Sequence, residues 1–272
     1  MSTITTPDEA TPVEVLPWED FLPWWSDAWE PGQHVGIVGP TGSGKTTLEF
    51  GLCQTTDYVL AIDPKGGDQT LAASGWRRVT TWPPPSGVIA DIKDGEPARL
   101  IVGKVAKSRA QRDANRRLLA RVMPSIWEQG GWTVIIDELQ ILTDRRFFNL
   151  ADDTVELLIA ARNRGISVVS ALQRVSIGNS TGGASSTVGD QVTWLAVAYT
   201  RDDRMVQRLA ELLGRPVAEV REVIRALPLH SWLMVGRDPR QPFRVTRPPK
   251  LSVPSLRGTP PRVTWREKLF GR

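Results

Sequence analysis

The chain has 272 residues, 40% hydrophobic and 24% charged, with a net charge of +4 and a single cysteine. That is a globular composition with enough apolar material for one large core. It excludes an internal disulfide, leaves only two histidines for any metal cluster, and contains no apolar run near the ~20 residues of a membrane span.

In chain order, residues 1–30 are rich in Pro, acids and Trp, with Trp18, Trp24, Trp25 and Trp29 crowded into LPWEDFLPWWSDAWEPG. They read as an N-terminal extension, a short helix or lid that packs its indoles on the core. The first fifteen residues have neither a basic start nor an apolar stretch, so no secretory leader is expected. With the lone Cys53, this points to a reducing cytoplasm.

HVGIV (34–38) reads as a short apolar strand, with His34 a core or edge residue. It runs into GPTGSGKT (39–46), which matches the phosphate-loop pattern G-x-x-x-x-G-K-S/T in full. Gly39, Pro40, Thr41, Gly42, Ser43, Gly44, Lys45, Thr46 and Thr47 are the candidate phosphate cradle. The glycines let successive N–H groups turn toward an anion. The helix that follows, with Leu48, Leu52 and Cys53 on its apolar face, adds its positive end. Lys45 would reach the β- and γ-phosphates of ATP, and the Thr46 hydroxyl would hold Mg²⁺.

DYVLAID (57–63) reads as a second strand, TTWPPPSG (80–87) as a loop and ARLIVGK (98–104) as a third strand. Residues 107–128 read as a helix with Leu118, Val122 and Ile126 on one face. The basic run Lys104, Lys107, Arg109, Arg112, Arg116, Arg117 and Arg121 is opposed by Asp113 alone, and Arg109, Arg112 and Arg116 share a helix face away from the apolar stripe. Such a run is ordinarily a solvated face; contact with DNA or another subunit is the alternative.

WTVIIDELQ (132–140) is a buried-strand pattern that ends in two carboxylates. In a parallel α/β sheet, that strand end is where a site is built. Asp137 is expected to hold Mg²⁺, and Glu138 to polarise an attacking water. Residues 150–163 form a helix and GISVVSALQ (165–173) a strand. A Gly- and Ser-rich stretch follows to Asp190, then DQVTWLAVAYT (190–200) as a strand. DDRMVQRLAELLG reads as a helix stopped by Gly214. Pro216 starts a further short helix, and SWLMVG (231–236) is a late strand. Residues 237–272 read as a basic, Pro-rich arm. The fold class expected is α/β: a RecA-like core over 31–236 with a mostly parallel sheet flanked by helices.

Four segments in this order resemble the FtsK/HerA family of ATP-driven DNA translocases: GPTGSGKTT, AIDPKGGD (61–68), VIIDELQ and ARNRGISVVSALQRVS (161–176). The second and fourth are the specific ones, and the resemblance spans about residues 33–248. It implies ATP hydrolysis with Mg²⁺ by a homo-oligomeric, usually hexameric, ring around duplex DNA. It also implies Gln173 as a sensor of the γ-phosphate, Arg162 as the arginine finger given to a neighbouring subunit, with Arg164 as its competitor, and a pore loop after Gln173. Gln173-Arg174-Val175-Ser176 departs from the family's Gln-Arg-Pro-Ser. The membrane-spanning and winged-helix regions of cellular members are not seen, which suits a minimal motor of phages or mobile elements acting in a bacterial host cytoplasm. Under this reading the N-terminal indoles could instead anchor a neighbouring subunit or the adenine base. The rival readings are a terminase-like or secretion-type mobile-element ATPase, and a nucleotide-binding assembly protein with slow turnover.

Overall fold

The computed structural model describes residues 12–64, 71, 74–94, 96–103, 108–172, 191–238 and 240–249. Ten strands join one sheet: β1 (Val13–Val15), β2 (Val35–Val38), β3 (Tyr58–Ile62), β4 (Arg77–Val79), β5 (Ala98–Val102), β6 (Thr133–Ile136), β7 (Ser167–Leu172), β8 (Trp194–Ala198), β9 (Trp232–Gly236) and β10 (Phe243–Thr246). Their order is β1-β10-β9-β8-β2-β7-β6-β3-β5-β4. From β8 to β4 every pairing is parallel; β9 runs antiparallel to β8, β10 antiparallel to β9, and β1 parallel to β10. The expected mostly parallel sheet flanked by helices is what forms.

Because successive strand residues point to opposite faces, each central strand feeds two cores. Leu60 and Ile62 of β3 and Val134 and Ile136 of β6 join the larger core, whereas Val59, Ala61 and Ile135 join the smaller one. Helices α3 (Ser86–Lys93), α4 (Arg109–Gln129), α5 (Leu139–Thr143), α6 (Ala151–Ala160), α7 (Asp203–Leu213) and α8 (Val217–Ala226) put their buried residues into the larger core. Helices α1 (Trp18–Ala28) and α2 (Lys45–Leu52) cover the other face.

The Trp-rich segment packs as read. Trp25 is fully buried and stacks on Trp29 at 5.2 Å, and Trp24 meets Trp194 edge-on at 5.6 Å. Helix α4 begins at a capping box: the Ser108 hydroxyl accepts from the Gln111 N–H and the Gln111 side chain accepts from the Ser108 N–H. Its Leu118, Val122 and Ile126 are buried as the spacing predicts. Asp202 caps α7 and Gly214 ends it with φ of 61°.

Two regions differ from the sequence reading. Strand β4 and helix α3 flank the segment read as a loop at 80–87, with α3 starting at Ser86 behind Pro85. Three- and eight-residue elements carry too little periodicity to stand out. Within the segment read as an arm, Phe243–Thr246 is instead β10, hydrogen-bonded on both sides, with Phe243 0% exposed. Burying that ring contributes about 2–3 kcal/mol, enough to hold a four-residue strand in a stretch whose prolines and arginines read as a tail. Residues 251–272 lie outside the described residues.

Candidate functional site

Strand β2 ends at Val38 and α2 begins at Lys45, so the phosphate-loop residues turn the chain from sheet to helix. Gly42 and Gly44 take φ of +81° and +93°, the left-handed region that only glycine enters cheaply. A Cβ on Gly39 would sit 2.7 Å from Ser43 Oγ and 2.9 Å from Ala198 Cβ, so the loop can close on itself only without one. Gly44, the N-cap of α2, brings no side-chain cap to the first-turn N–H groups. A row of main-chain donors at a helix N-terminus is suited to an anion.

The second half of the site arrives through topology. Strands β2 and β6 each pair with β7, so their C-terminal ends lie one strand apart and on the same edge. There the Thr46 hydroxyl donates to Asp137 Oδ1 at 3.1 Å, joining residues 91 apart in sequence. Glu138 follows as the N-cap of α5. Thr41, Gly44, Lys45, Thr46, Asp137 and Glu138 line one cleft of about 490 Å³, with Ala171 of β7 in its wall.

The Lys45 ammonium donates to the carbonyls of Gly39 and Pro40, each at 3.0 Å. Burial lowers its pKa below the usual lysine value, and the carboxylates of Asp137, Glu49 and Glu138 oppose that shift. Desolvation weighs against the charged form, and nearby negative charge supports it. A lysine so placed gains from an added anion, since phosphate oxygens would replace loop carbonyls as partners of a charge already taken partly out of water.

Mg²⁺ favours hard oxygen ligands and is usually held by one or two protein groups plus substrate phosphates. The Thr46 hydroxyl and Asp137 carboxylate, in contact on the cleft wall, fit that demand. Among the described residues, no group of three or more His, Cys, Asp or Glu side chains could hold a metal without such a substrate.

Arg162 lies elsewhere. It sits in the 3₁₀ turn Ala161–Arg164 just before β7, donates to Thr193 Oγ1 at 3.0 Å, and packs its backbone against Gly32 ahead of β2. That is the N-terminal edge of the parallel strands. The six residues of β7, at ~3.3 Å each, put about 20 Å between the edges. Arg162 therefore does not face the cleft of its own chain. Its competitor Arg164 is exposed beside it, with its guanidinium 4.8 Å from the centre of the Trp127 ring. Gln173, the segment 174–190, residues 65–68 of the AIDPKGGD motif, and Lys104 and Lys107 lie outside the described residues. Leu172, the residue before Gln173, ends β7 between the two halves of the cleft, and its carbonyl accepts from the Gly39 N–H at 3.4 Å.

His34 is the core residue expected: 1% exposed, with Nε2 3.0 Å from the Leu158 carbonyl and Nδ1 accepting from the Val168 N–H at 3.0 Å. The residue that sequence reasoning missed is His230. With φ of 62°, it brings Nδ1 to 3.2 Å from the Ser43 carbonyl, across 187 residues of chain. Nothing in its local sequence marks that contact, because it depends on where β9 enters the sheet.

No protein-family model matches the sequence, and no curated protein sequence does. Solved structures do match. One is the genome packaging NTPase B204 from Sulfolobus turreted icosahedral virus 2 in complex with ATP-gammaS, at 18% identity and a TM-score of 0.52, covering 81% of this chain and 99% of that one. Another is the DNA-packaging ATPase B204 from Sulfolobus Turreted Icosahedral Virus, at 18% identity and a TM-score of 0.52, covering 81% of this chain and 100% of that one. Likeness at this identity speaks to fold: the chain has a RecA-like core around its phosphate loop, the fold that the FtsK/HerA resemblance implies.

Proposed function

We propose that this chain hydrolyses ATP and couples the reaction to movement of duplex DNA, as a homo-oligomeric ring of FtsK/HerA type, in packaging, transfer or handling of phage or mobile-element DNA. The observation that carries the ATP reading is the 3.1 Å hydrogen bond from Thr46 to Asp137 at the mouth of the phosphate loop, with Glu138 on the same cleft wall. It sets a hydroxyl and a carboxylate where a phosphate-bound cation would sit.

Transfer of a phosphoryl group to water is mostly positioning and electrostatics. The loop N–H groups and the first turn of α2 hold the phosphates, and Lys45 supplies charge at the β- and γ-phosphates. Thr46 and Asp137 would hold Mg²⁺, which when bound neutralises charge on the β- and γ-phosphate oxygens. Glu138 orients the attacking water and accepts its proton on the carboxylate. Gln173 senses the γ-phosphate. Arg162, on the edge away from its own cleft, serves a neighbouring subunit.

The DNA reading is supported by the exposed Arg109, Arg112, Arg116, Arg117 and Arg121 of α4, which have Asp113 as their one opposing charge between residues 109 and 121, and by the fold shared with the packaging ATPases. Phosphate contacts release counterions. With three to five of these arginines engaged, duplex affinity should fall about 10²-fold from 50 to 200 mM salt, whatever the sequence. ATP turnover measured with Mg²⁺, with and without duplex DNA, tests the coupling. DNA-stimulated turnover is the expected result. Tight ATP binding with slow turnover that ignores DNA would make the chain an assembly protein instead, and binding that ignores salt or demands one sequence would remove the DNA partner.

A further inference from the structure

A second cleft, of about 660 Å³, shares Gly44 and Thr47 with the phosphate cleft and continues from them to the start of α1 and the segment after β10. Its size falls within the ~300–1,000 Å³ of small-molecule sites. Trp18 at the start of α1, His230 before β9, and Pro248 and Pro249 after β10 line it. Trp18 is set in place by α2 itself. Gly51 lies one helical turn beyond Thr47, and a Cβ there would be 2.8 Å from the Trp18 six-membered ring. The indole thus fills the space that any side chain at 51 would take. His230 is fixed from the other side by its contact with the Ser43 carbonyl.

Trp232, 0% exposed, closes the cleft from beneath.

Flat side chains and a direct opening onto a phosphate cradle match one ligand chemistry. We infer that this cleft holds the base and ribose of the nucleotide, with Trp18 and His230 as the flat surfaces against the base. The inference rests on the nucleotide reading of the phosphate loop and adds to it where the base goes. It also gives α1 and the segment after β10 a role: joined through the β1–β10 pairing, they form the base-binding wall.

The experiment compares two probes by calorimetry on the full chain with Mg²⁺: the non-hydrolysable analogue AMPPCP, which carries a base, and inorganic tripolyphosphate, which does not. AMPPCP should bind the wild type at least tenfold more tightly than tripolyphosphate. His230→Ala, at an exposed position, and Trp18→Leu, which keeps apolar contact with Gly51, should each lower AMPPCP affinity about tenfold, the scale of one base–aromatic stack. Tripolyphosphate affinity should stay within twofold. If Trp18→Leu does not fold, His230→Ala decides. Equal loss of both probes would make these residues mere supports of the phosphate loop, and no loss of either would empty the cleft of any role; both outcomes overturn the inference. Equal wild-type affinity for the two probes overturns it too, while leaving the phosphate reading intact. Failure of the wild type to bind either probe overturns the phosphate reading itself.

Discussion

At the N-terminal ends of the parallel strands, polar side chains bond to the protein's own backbone and to one another. His34 uses both ring nitrogens on Leu158 and Val168, Ser167 Oγ accepts from the Gly32 N–H, and Gln33 receives the indole N–H groups of Trp29 and Trp194. At the C-terminal ends, left-handed glycines, an uncapped helix start, an ammonium and two carboxylates gather around an open cleft. One sheet thus has an edge where these side chains are bonded within the protein and an edge that is open around the phosphate loop. The difference teaches where substitutions should act: at the C-terminal edge on turnover with the fold intact, at the N-terminal edge on stability with turnover per folded molecule intact.

Lys45→Ala gives the largest effect and tests the first half of that rule. Nucleotide binding and turnover should be lost, with unfolding free energy within about 1 kcal/mol of wild type. A large loss of stability in urea titration would mean that the Lys45 contacts to Gly39 and Pro40 support the fold.

Arg162 is the residue that could break the comparison, since it stands on the edge bonded within the protein yet is proposed to act in a neighbour's site. Arg162→Ala should leave ATP binding nearly intact and cut turnover about 10³-fold, the lower range for an arginine finger. Mixing it with Lys45→Ala subunits should restore part of the activity, because each variant supplies what the other lacks. If co-assembly is demonstrated and no mixing ratio recovers turnover, Arg162 belongs wholly to the structural edge, and Arg164 becomes the residue to mix next.

Glu138→Gln sharpens the ligand edge. The Thr46–Asp137 pair is untouched, so ATP should bind as in the wild type while hydrolysis slows about 10²-fold or more. Turnover at the wild-type rate would remove Glu138 as the group that activates water.

His34 tests the structural edge with a smaller effect. Burial, assisted by the charge of Arg162, lowers its pKa from 6.5 to about 4 against the opposing bond to Leu158. The folded protein therefore keeps this imidazole neutral where the unfolded chain has begun to bind a proton. Between pH 6.5 and 4 the unfolded state holds more protons, so stability falls as the solution is acidified. The loss attributable to His34 is about 2 kcal/mol at pH 5 relative to pH 7. Urea titrations at the two pH values should show that loss in the wild type and lack it in His34→Gln. An equal acid loss in His34→Gln would assign the titration to other groups.

The phosphate loop was legible because its geometry is local. Glycines at fixed spacing permit the turn, and the strand before and helix after it announce themselves by periodicity. Asp137 and Glu138 were legible for a similar reason, as charges that end a Val- and Ile-rich run. The buried stripe of α4, the Gly214 stop of α7 and the packing role of the N-terminal indoles could be read the same way. What only the tertiary structure decided is adjacency. That β7 lies between β2 and β6, and so sets Thr46 against Asp137, depends on strand pairings between distant segments. So does the capture of Phe243–Thr246 as a strand between β9 and β1, in a stretch whose composition reads as a tail. The placement of His230 on the Ser43 carbonyl and of Arg162 on the far edge follows from the same pairings. Backbone preference and side-chain charge act over a few residues and leave a mark in the sequence. Strand order is chosen by the sum of hydrogen bonds and buried area across the whole sheet, a quantity that no short stretch of this chain contains.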